Sequence, residues 1–378
     1  MVTSPPRVVV VTGVSRYIGA RVAARLAADP RIDRVVGLDP HDPPAGLLGL
    51  LEGVERIRAD ARAATEAIAE LDAEAVVHLA VTSVPDVQHG GRAAMKEQNV
   101  IGTMQVLAAA QGAPGLRKLV VRSSTAAYGA SFRDPAVFTE DTEPRAVPRG
   151  PFARDILDIE GYVRGFRRRR SEVAATVLRF APMISSTAET SLTRYFAQPV
   201  VPTVLGRDAR LQFVHVEDAL EILHRSVVED HPGTFNVAGA GVLMLAQAVR
   251  RAGRVSLPLP ESALSTGAAL LRNLGVEQIG LDQIDLFVHG RVVDTSRLIR
   301  EFDFTPRTTA EAFDEFIKAH VAGSTITADR LAAAEQAILD GIRRVRAAAS
   351  PAPAGVAEPA SVPAGHTSAG VRAGSDRS

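Results

Sequence analysis

Apolar runs of strand length that alternate with helical patterns predict an α/β fold, a doubly wound parallel sheet with helices on both faces and a smaller C-terminal portion. The segments between the runs repeat apolar residues at helical spacing and are long enough to cross from one parallel strand to the next. The chain has 378 residues. That length suits one large domain with an appendage and needs neither disulfide nor metal to hold it together.

The first strand is read over residues 7–12 and the first helix over 18–28. Strands follow at 34–38, 54–58, 75–79, 118–122 and 174–179, with helices at 63–71, 92–111 and 152–169. Beyond residue 182 the pattern loosens, and Pro199, Pro202, Pro232, Pro258 and Pro260 break the apolar pieces. The expected division is therefore 7–182 for the sheet domain and 183–322 for a smaller portion with excursions back to the sheet. A C-terminal helix is expected within 325–349, and a disordered tail rich in Ala, Pro, Gly and Ser over 350–378. Leu331, Ile338, Ile342 and Val345 share a face of that helix, which either docks on its own domain or makes a homodimer contact.

Composition excludes several classes. With 43 basic and 43 acidic residues, nothing suggests electrostatic binding of nucleic acid or membrane. The absence of cysteine rules out disulfides, a thiolate nucleophile and iron–sulfur clusters. The nine histidines show no metal-ligand spacing. The N-terminal apolar run is too short for a signal peptide, and no later stretch reaches roughly 18 apolar residues, so a soluble, cytoplasmic protein is expected.

The chemistry-bearing signal begins where the first strand ends. Gly13 permits a tight strand-to-helix turn, Gly19 permits close packing of helix on strand, and Ser15, Arg16, Tyr17 and Ile18 fill the loop between them. A helix N-terminus presents free N–H groups and the positive end of its dipole to a pyrophosphate. Asp39 closes the second strand, twenty residues beyond Gly19. An acid there accepts hydrogen bonds from an adenosine ribose and repels a 2′-phosphate, which favours NAD over NADP; the other reading is an ordinary turn at Asp39-Pro40.

From here the chain resembles the NAD-dependent epimerase/dehydratase family, the extended short-chain dehydrogenase/reductases, and within it actinobacterial proteins of UDP-glucose 4-epimerase-like type. The matching segments come in order: Arg58-Ala59-Asp60-Ala61, Val76-Val77-His78-Leu79-Ala80, Asn99-Val100-Ile101-Gly102-Thr103 and Ser123-Ser124-Thr125-Ala126-Ala127-Tyr128-Gly129. Phe213 to Ala219, Gly233 to Val237, Val293 to Ser296 and Phe302 to Pro306 complete the series. The resemblance implies a Rossmann-type domain holding NAD, with a small-molecule ligand of nucleotide-sugar type in the second portion. It assigns adenine contacts to Asp60 and Ala61, cofactor-lining positions to Leu79, Ala80 and Asn99, and the active-site hydroxyl to Ser124.

Two departures stand out. The family's middle loop glycine is replaced by Arg16 or Tyr17, so a side chain pushes the cofactor outward, or the Arg16 guanidinium either contacts a phosphate or faces solvent. The family's Tyr-x-x-x-Lys falls on Phe152 and Ile156. A free tyrosine titrates near ~10 and needs a neighbouring cation to work at neutral pH, whereas phenylalanine offers no proton at all. No tyrosine of the chain has a lysine four residues on, and the lysines are Lys96, Lys118 and Lys318. Phe152, Ile156, Ile159, Val163 and Phe166 instead form an apolar helical stripe. Two readings follow: an epimerase/dehydratase-like oxidoreductase with a substitute acid or base drawn from Asp155, Tyr128 or His215, or a non-catalytic NAD(H)-binding sensor or scaffold. Arg210 lies one residue before the family's usual substrate-phosphate arginine, and the run Arg167 to Arg170 is expected to be a solvated face at a helix C-terminus.

Overall fold

The computed structural model describes residues 4–59, 61–85, 90–129, 131–145, 147–261, 281–320, 336 and 340. Its centre is a seven-stranded sheet: β1 (Val8–Thr12), β2 (Arg34–Asp39), β3 (Glu55–Arg58), β4 (Ala75–His78), β5 (Lys118–Ser124), β6 (Ala174–Phe180) and β7 (Gly233–Val237). The spatial order is β7-β6-β5-β4-β1-β2-β3, and every pairing is parallel. The predicted α/β class holds, and β7 joins the sheet from within the portion read as smaller and C-terminal.

Successive strand residues serve opposite faces, and in the inner strands both faces are buried, which is why β1, β2 and β4 carry apolar runs, whereas the edge strand β3 is polar and largely exposed. Val9, Val11, Val77, Val120 and Leu178 pack toward α1 (Tyr17–Ala27), whose inner face supplies Ala20, Ala23 and Leu26. Val10, Val36, Val76, Leu119 and Val121 pack on the other side. There the covering helices are α2 (Ala61–Glu70), α3 (91–112) and α4 (Pro151–Arg169). Helix α3 widens to π-type turns over Glu97–Ile101. The first sheet face is completed by α5 (Val216–Val228), which supplies Ala219, Ile222 and Leu223. Arg21–Glu217 at 2.6 Å and Arg25–Glu221 tie α5 to α1 along their exposed edges.

Chain order reverses between β1 and β4, because β2 and β3 lie on one side of β1 and β4 on the other. The C-terminal ends of these two strands therefore diverge into a crevice, the place where open α/β sheets take their ligands. A separate core of Phe196, Phe213, Phe313 and Phe316 holds C-terminal pieces with α6 (Leu281–His289) and α8 (Thr309–His320), while α7 (Ser296–Phe302) packs Leu298 and Phe302 into the first sheet face.

The arginine run at the end of α4 is not simply solvated. Arg167 donates to the carbonyls of Ala175 and Gly233, and Arg170 donates to those of Ala110, Gln111 and Ala113. They staple the helix end to β6, β7 and α3, satisfying carbonyls that lie at element ends. The C-terminal helix and tail read from the sequence lie outside the described residues, apart from Gln336 and Asp340, which are helical.

Candidate cofactor and active site

The loop after β1 is built around its two glycines. Gly13 has φ +83°, and a Cβ there would lie 2.8 Å from the backbone nitrogen of Ala80 at the end of β4. A Cβ on Gly19 would lie 2.1 Å from the Gly13 carbonyl oxygen. Neither position admits a side chain, so the turn sits directly against the strand-end crevice. Helix α1 begins without a side-chain cap and with no acid in its first turn, which leaves its N-terminal N–H groups facing the crevice.

Asp39 is buried at the end of β2 and braces this loop. One carboxylate oxygen accepts from Ser15 N–H at 3.0 Å and from Ser15 Oγ at 2.7 Å, and the other accepts from His41 N–H. The end of β4 is held by a chain of bonds. Thr12 Oγ1 accepts from Leu79 N–H, leaving its proton for Nδ1 of His78 at 2.8 Å. His78 Nε2 then donates to Thr103, whose hydroxyl donates 2.5 Å to the Asn99 carbonyl. Complete burial pushes the His78 pKa down to about 4, so the ring is neutral.

Asn99, expected to line the cofactor, is fully buried and spends its amide on the protein. It accepts from Thr82 N–H and donates to the Thr82 carbonyl and to Asp155. It thereby fixes the segment leaving β4. Asp155 is buried and clamped by Arg92 at 2.5 and 2.6 Å.

Two cavities open at the crevice. The smaller, about 630 Å³, is lined by Ser15, Leu38, His41, Ala59, His78 and Ala80 on the β1–β2–β4 side. The larger, about 880 Å³, is lined by Tyr17, Gly19, Leu79, Ser124 and Phe152 and by residues of the C-terminal portion, among them Thr190, Tyr195 and Asp282. Arg16 lines both. Its guanidinium donates to Gln98 Oε1 at 2.8 Å. Tyr17 reaches across the larger cavity and hydrogen-bonds Thr187 at 2.6 Å. Asp60 lies outside the described residues, and Ala61 is described only as the start of α2.

On α4, Ile156 is completely buried in the core beneath β4 and β5, and Phe152 packs on the same cluster while touching the larger cavity. Ser124 reaches the cavity, but its hydroxyl also accepts from Ala126 N–H as a cap. The three candidate substitutes lie elsewhere. Asp155 is held by Arg92, Tyr128 donates to Asn236 and accepts from Arg179, and His215 sits between Glu315 and Arg307. None of the three lines either cavity, nor does Arg210.

Two residues of the cavity escaped the sequence reading. Arg122 stands on β5 between Val120 and Ser124 on the face that turns inward, where a cation in an apolar strand was the available signal. Asp282, at the start of α6, caps α4 from outside, accepting from Phe152 N–H at 3.2 Å and Ala153 N–H at 3.0 Å. Burial pushes its pKa up. Nothing local in the sequence links it to a helix 130 residues away.

A family model described as NAD dependent epimerase/dehydratase family matches residues 9–238. This chain belongs to that family. The chain is 43% identical over 316 residues to an uncharacterized protein of Mycobacterium tuberculosis, covering 83% of this chain and 84% of the relative. It is 27% identical over 273 residues to dTDP-glucose 4,6-dehydratase of Neisseria gonorrhoeae, covering 63% of this chain and 75% of the relative. Among solved structures, UDP-glucose 4-epimerase of Thermotoga maritima with UDP-glucose aligns at TM-score 0.64 and 17% identity, covering 82% of this chain and 98% of that one. dTDP-glucose 4,6-dehydratase of Bacillus anthracis in complex with NAD aligns at TM-score 0.62 and 14% identity, covering 84% and 97%. At those identities the structures share the fold. The family's cofactor is NAD, and Gly13 and Gly19 keep the strand-to-helix turn tight against the end of β4 as such a group requires, while Arg16 and Tyr17 occupy the middle of the loop, where the resemblance places a glycine.

Proposed function

We propose that the chain binds NAD(H) across the two cavities and a small ligand of nucleotide-sugar type in the larger one, without the tyrosine–lysine acid–base step of its family. The observation that carries this is the full burial of Ile156, at the position of the family's lysine, in the sheet core. A cation there would have no solvent and no partner, and Phe152 beside it has no proton to give. Gly13, Gly19 and the α1 N-terminus would hold the diphosphate, and Leu79 and Ala80 would flank the dinucleotide; Asp39, which lines neither cavity, would act by shaping the loop through Ser15 and His41. When bound, NAD supplies a hydride acceptor. In this reading the chain serves as an NAD(H)-responsive binding protein.

One observation favours a second reading. The Asp282 carboxylate borders the larger cavity next to Phe152, and its raised pKa suits a group that takes and returns a proton. There the enzyme would remain an oxidoreductase of the epimerase/dehydratase type, with Asp282 in place of the tyrosine.

The test incubates the full chain with NAD and UDP-galactose, following sugar products and NADH, while calorimetry measures NAD binding. NAD binding without turnover supports the first reading. Turnover that Asp282→Asn abolishes, with NAD affinity unchanged, overturns it in favour of the second.

A further inference from the structure

Arg122 is the one arginine of β5, and it faces inward. Its Nη1 donates to the Val81 carbonyl at 3.0 Å, and among the described residues it makes no ion pair. Arg16 lines the same cavity, and its hydrogen bond goes to the neutral Gln98. Asp39 is the carboxylate that acts on Arg16, and it is already engaged by Ser15 and His41. Arg16 and Arg122 are near enough to feel each other's charge: burial, and then Arg16, push the Arg122 pKa down to about 10. Two cations have thus been drawn into one crevice without matching acids, at a net electrostatic cost to the fold. A folded chain retains such a pair where an anion completes it.

We propose that Arg16 and Arg122 form a two-guanidinium grip for the diphosphate of an adenine nucleotide, at the junction of the two cavities. The position follows from the lining: Arg16 borders both cavities, and Arg122 borders the larger one beside Leu79, Val81 and Ser124. The smaller cavity lies on the Asp39 side of the junction, where an adenosine would lie. Guanidinium forks bind phosphate oxygens in pairs. They would supply what the missing middle glycine takes away, because side-chain donors extend past a loop whose backbone can no longer be approached there. The inference rests on the NAD reading, yet it commits to a diphosphate and to two named residues, and it settles the two roles open to Arg16 in favour of gripping.

The experiment is calorimetry of the full chain with NAD, ADP and AMP, on wild type, Arg122→Met, Arg122→Lys and Arg16→Gly, with the unfolding temperature of each ligand-free protein. The loss of one charge-assisted contact pair predicts that Arg122→Met and Arg16→Gly weaken NAD and ADP by about tenfold or more, with AMP changed much less. Arg122→Lys should fall between Arg122→Met and wild type. Ligand-free Arg122→Met should melt at or above the wild-type temperature, because an uncompensated cation has been removed, so weakened binding cannot be put down to misfolding. Affinities for NAD and ADP within twofold of wild type in Arg122→Met, or tighter NAD binding by Arg16→Gly, overturn the grip while leaving the NAD reading intact. ADP binding that needs both arginines, without any NAD binding, upholds the grip and overturns the NAD reading. Wild type that binds neither overturns both.

Discussion

The phosphate turn after β1 and the first two turns of α4 are the two places where this family does its work, and they have diverged differently. At the turn, Gly13 and Gly19 press on backbone with no room for a Cβ, and only the middle of the loop carries side chains, those of Arg16 and Tyr17. At α4, Phe152 and Ile156, which the resemblance aligns with the family's tyrosine and lysine, both pack on a hydrophobic cluster. Backbone geometry at the turn is shared by fold and ligand, so it cannot drift without loss of the fold. On the proposed reading Phe152 and Ile156 answer to no reaction, and α4 gains from their apolar packing.

The sharpest way to break the comparison is at the turn. Gly19→Ala should destabilise by about 3 kcal/mol or more, or prevent folding, because the clash is with backbone and cannot be relieved by a rotamer. Urea unfolding checks it, and a change below about 0.5 kcal/mol would show that the turn has slack. Next in size is Ile156→Lys. Restoring the family's residue should cost about 3 kcal/mol, since an unpaired ammonium would enter a fully buried site. Phe152→Tyr with Ile156→Lys should be no more active and clearly less stable; a stable, active double variant would mean that the slot was never truly core.

A third test uses pH. His78 is buried neutral with its folded pKa near 4, below the ordinary value of about 6.5, so the unfolded chain binds the extra proton first. This group's contribution is therefore intact above pH ~6.5 and is lost as pH falls toward ~4. His78→Gln should remove that part of the slope in thermal melts taken across the interval. The smallest expected effect is at the brace beneath the cavities. Arg92→Ala should cost about 2 kcal/mol, less than a fully buried pair because Arg92 is 36% exposed, and should leave Asp155 buried without its cation. Thermal unfolding measures the loss, and amide exchange at Thr82 should rise with it through Asn99.

Sheet and helix order were legible because inner strands such as β1 and β4 are apolar on both faces and each crossover keeps helical spacing. The six strands and four helices read between residues 7 and 179 fall within a few residues of β1–β6 and α1–α4. The two glycines and the apolar stripe of α4 were legible for the same reason, since they are local facts about residue type. Contacts that join distant segments were not. Asp39 was read as a ribose acceptor, yet its bond to Ser15 depends on how the turn folds back over β2. Asn99 was read as lining the cofactor, but its amide is consumed by Thr82 and Asp155. Asp282 reaches α4 only because α6 packs there, and no spacing in the chain announces it.

The proposed function has cofactor binding outlasting the chemistry once done with it. Titrating NAD into the full chain and then adding UDP-galactose in the same cell tests this most directly. The account predicts a saturable NAD isotherm followed by no NADH and no epimerised sugar. Formation of NADH or product by the wild-type chain, or the absence of any NAD isotherm, would contradict it.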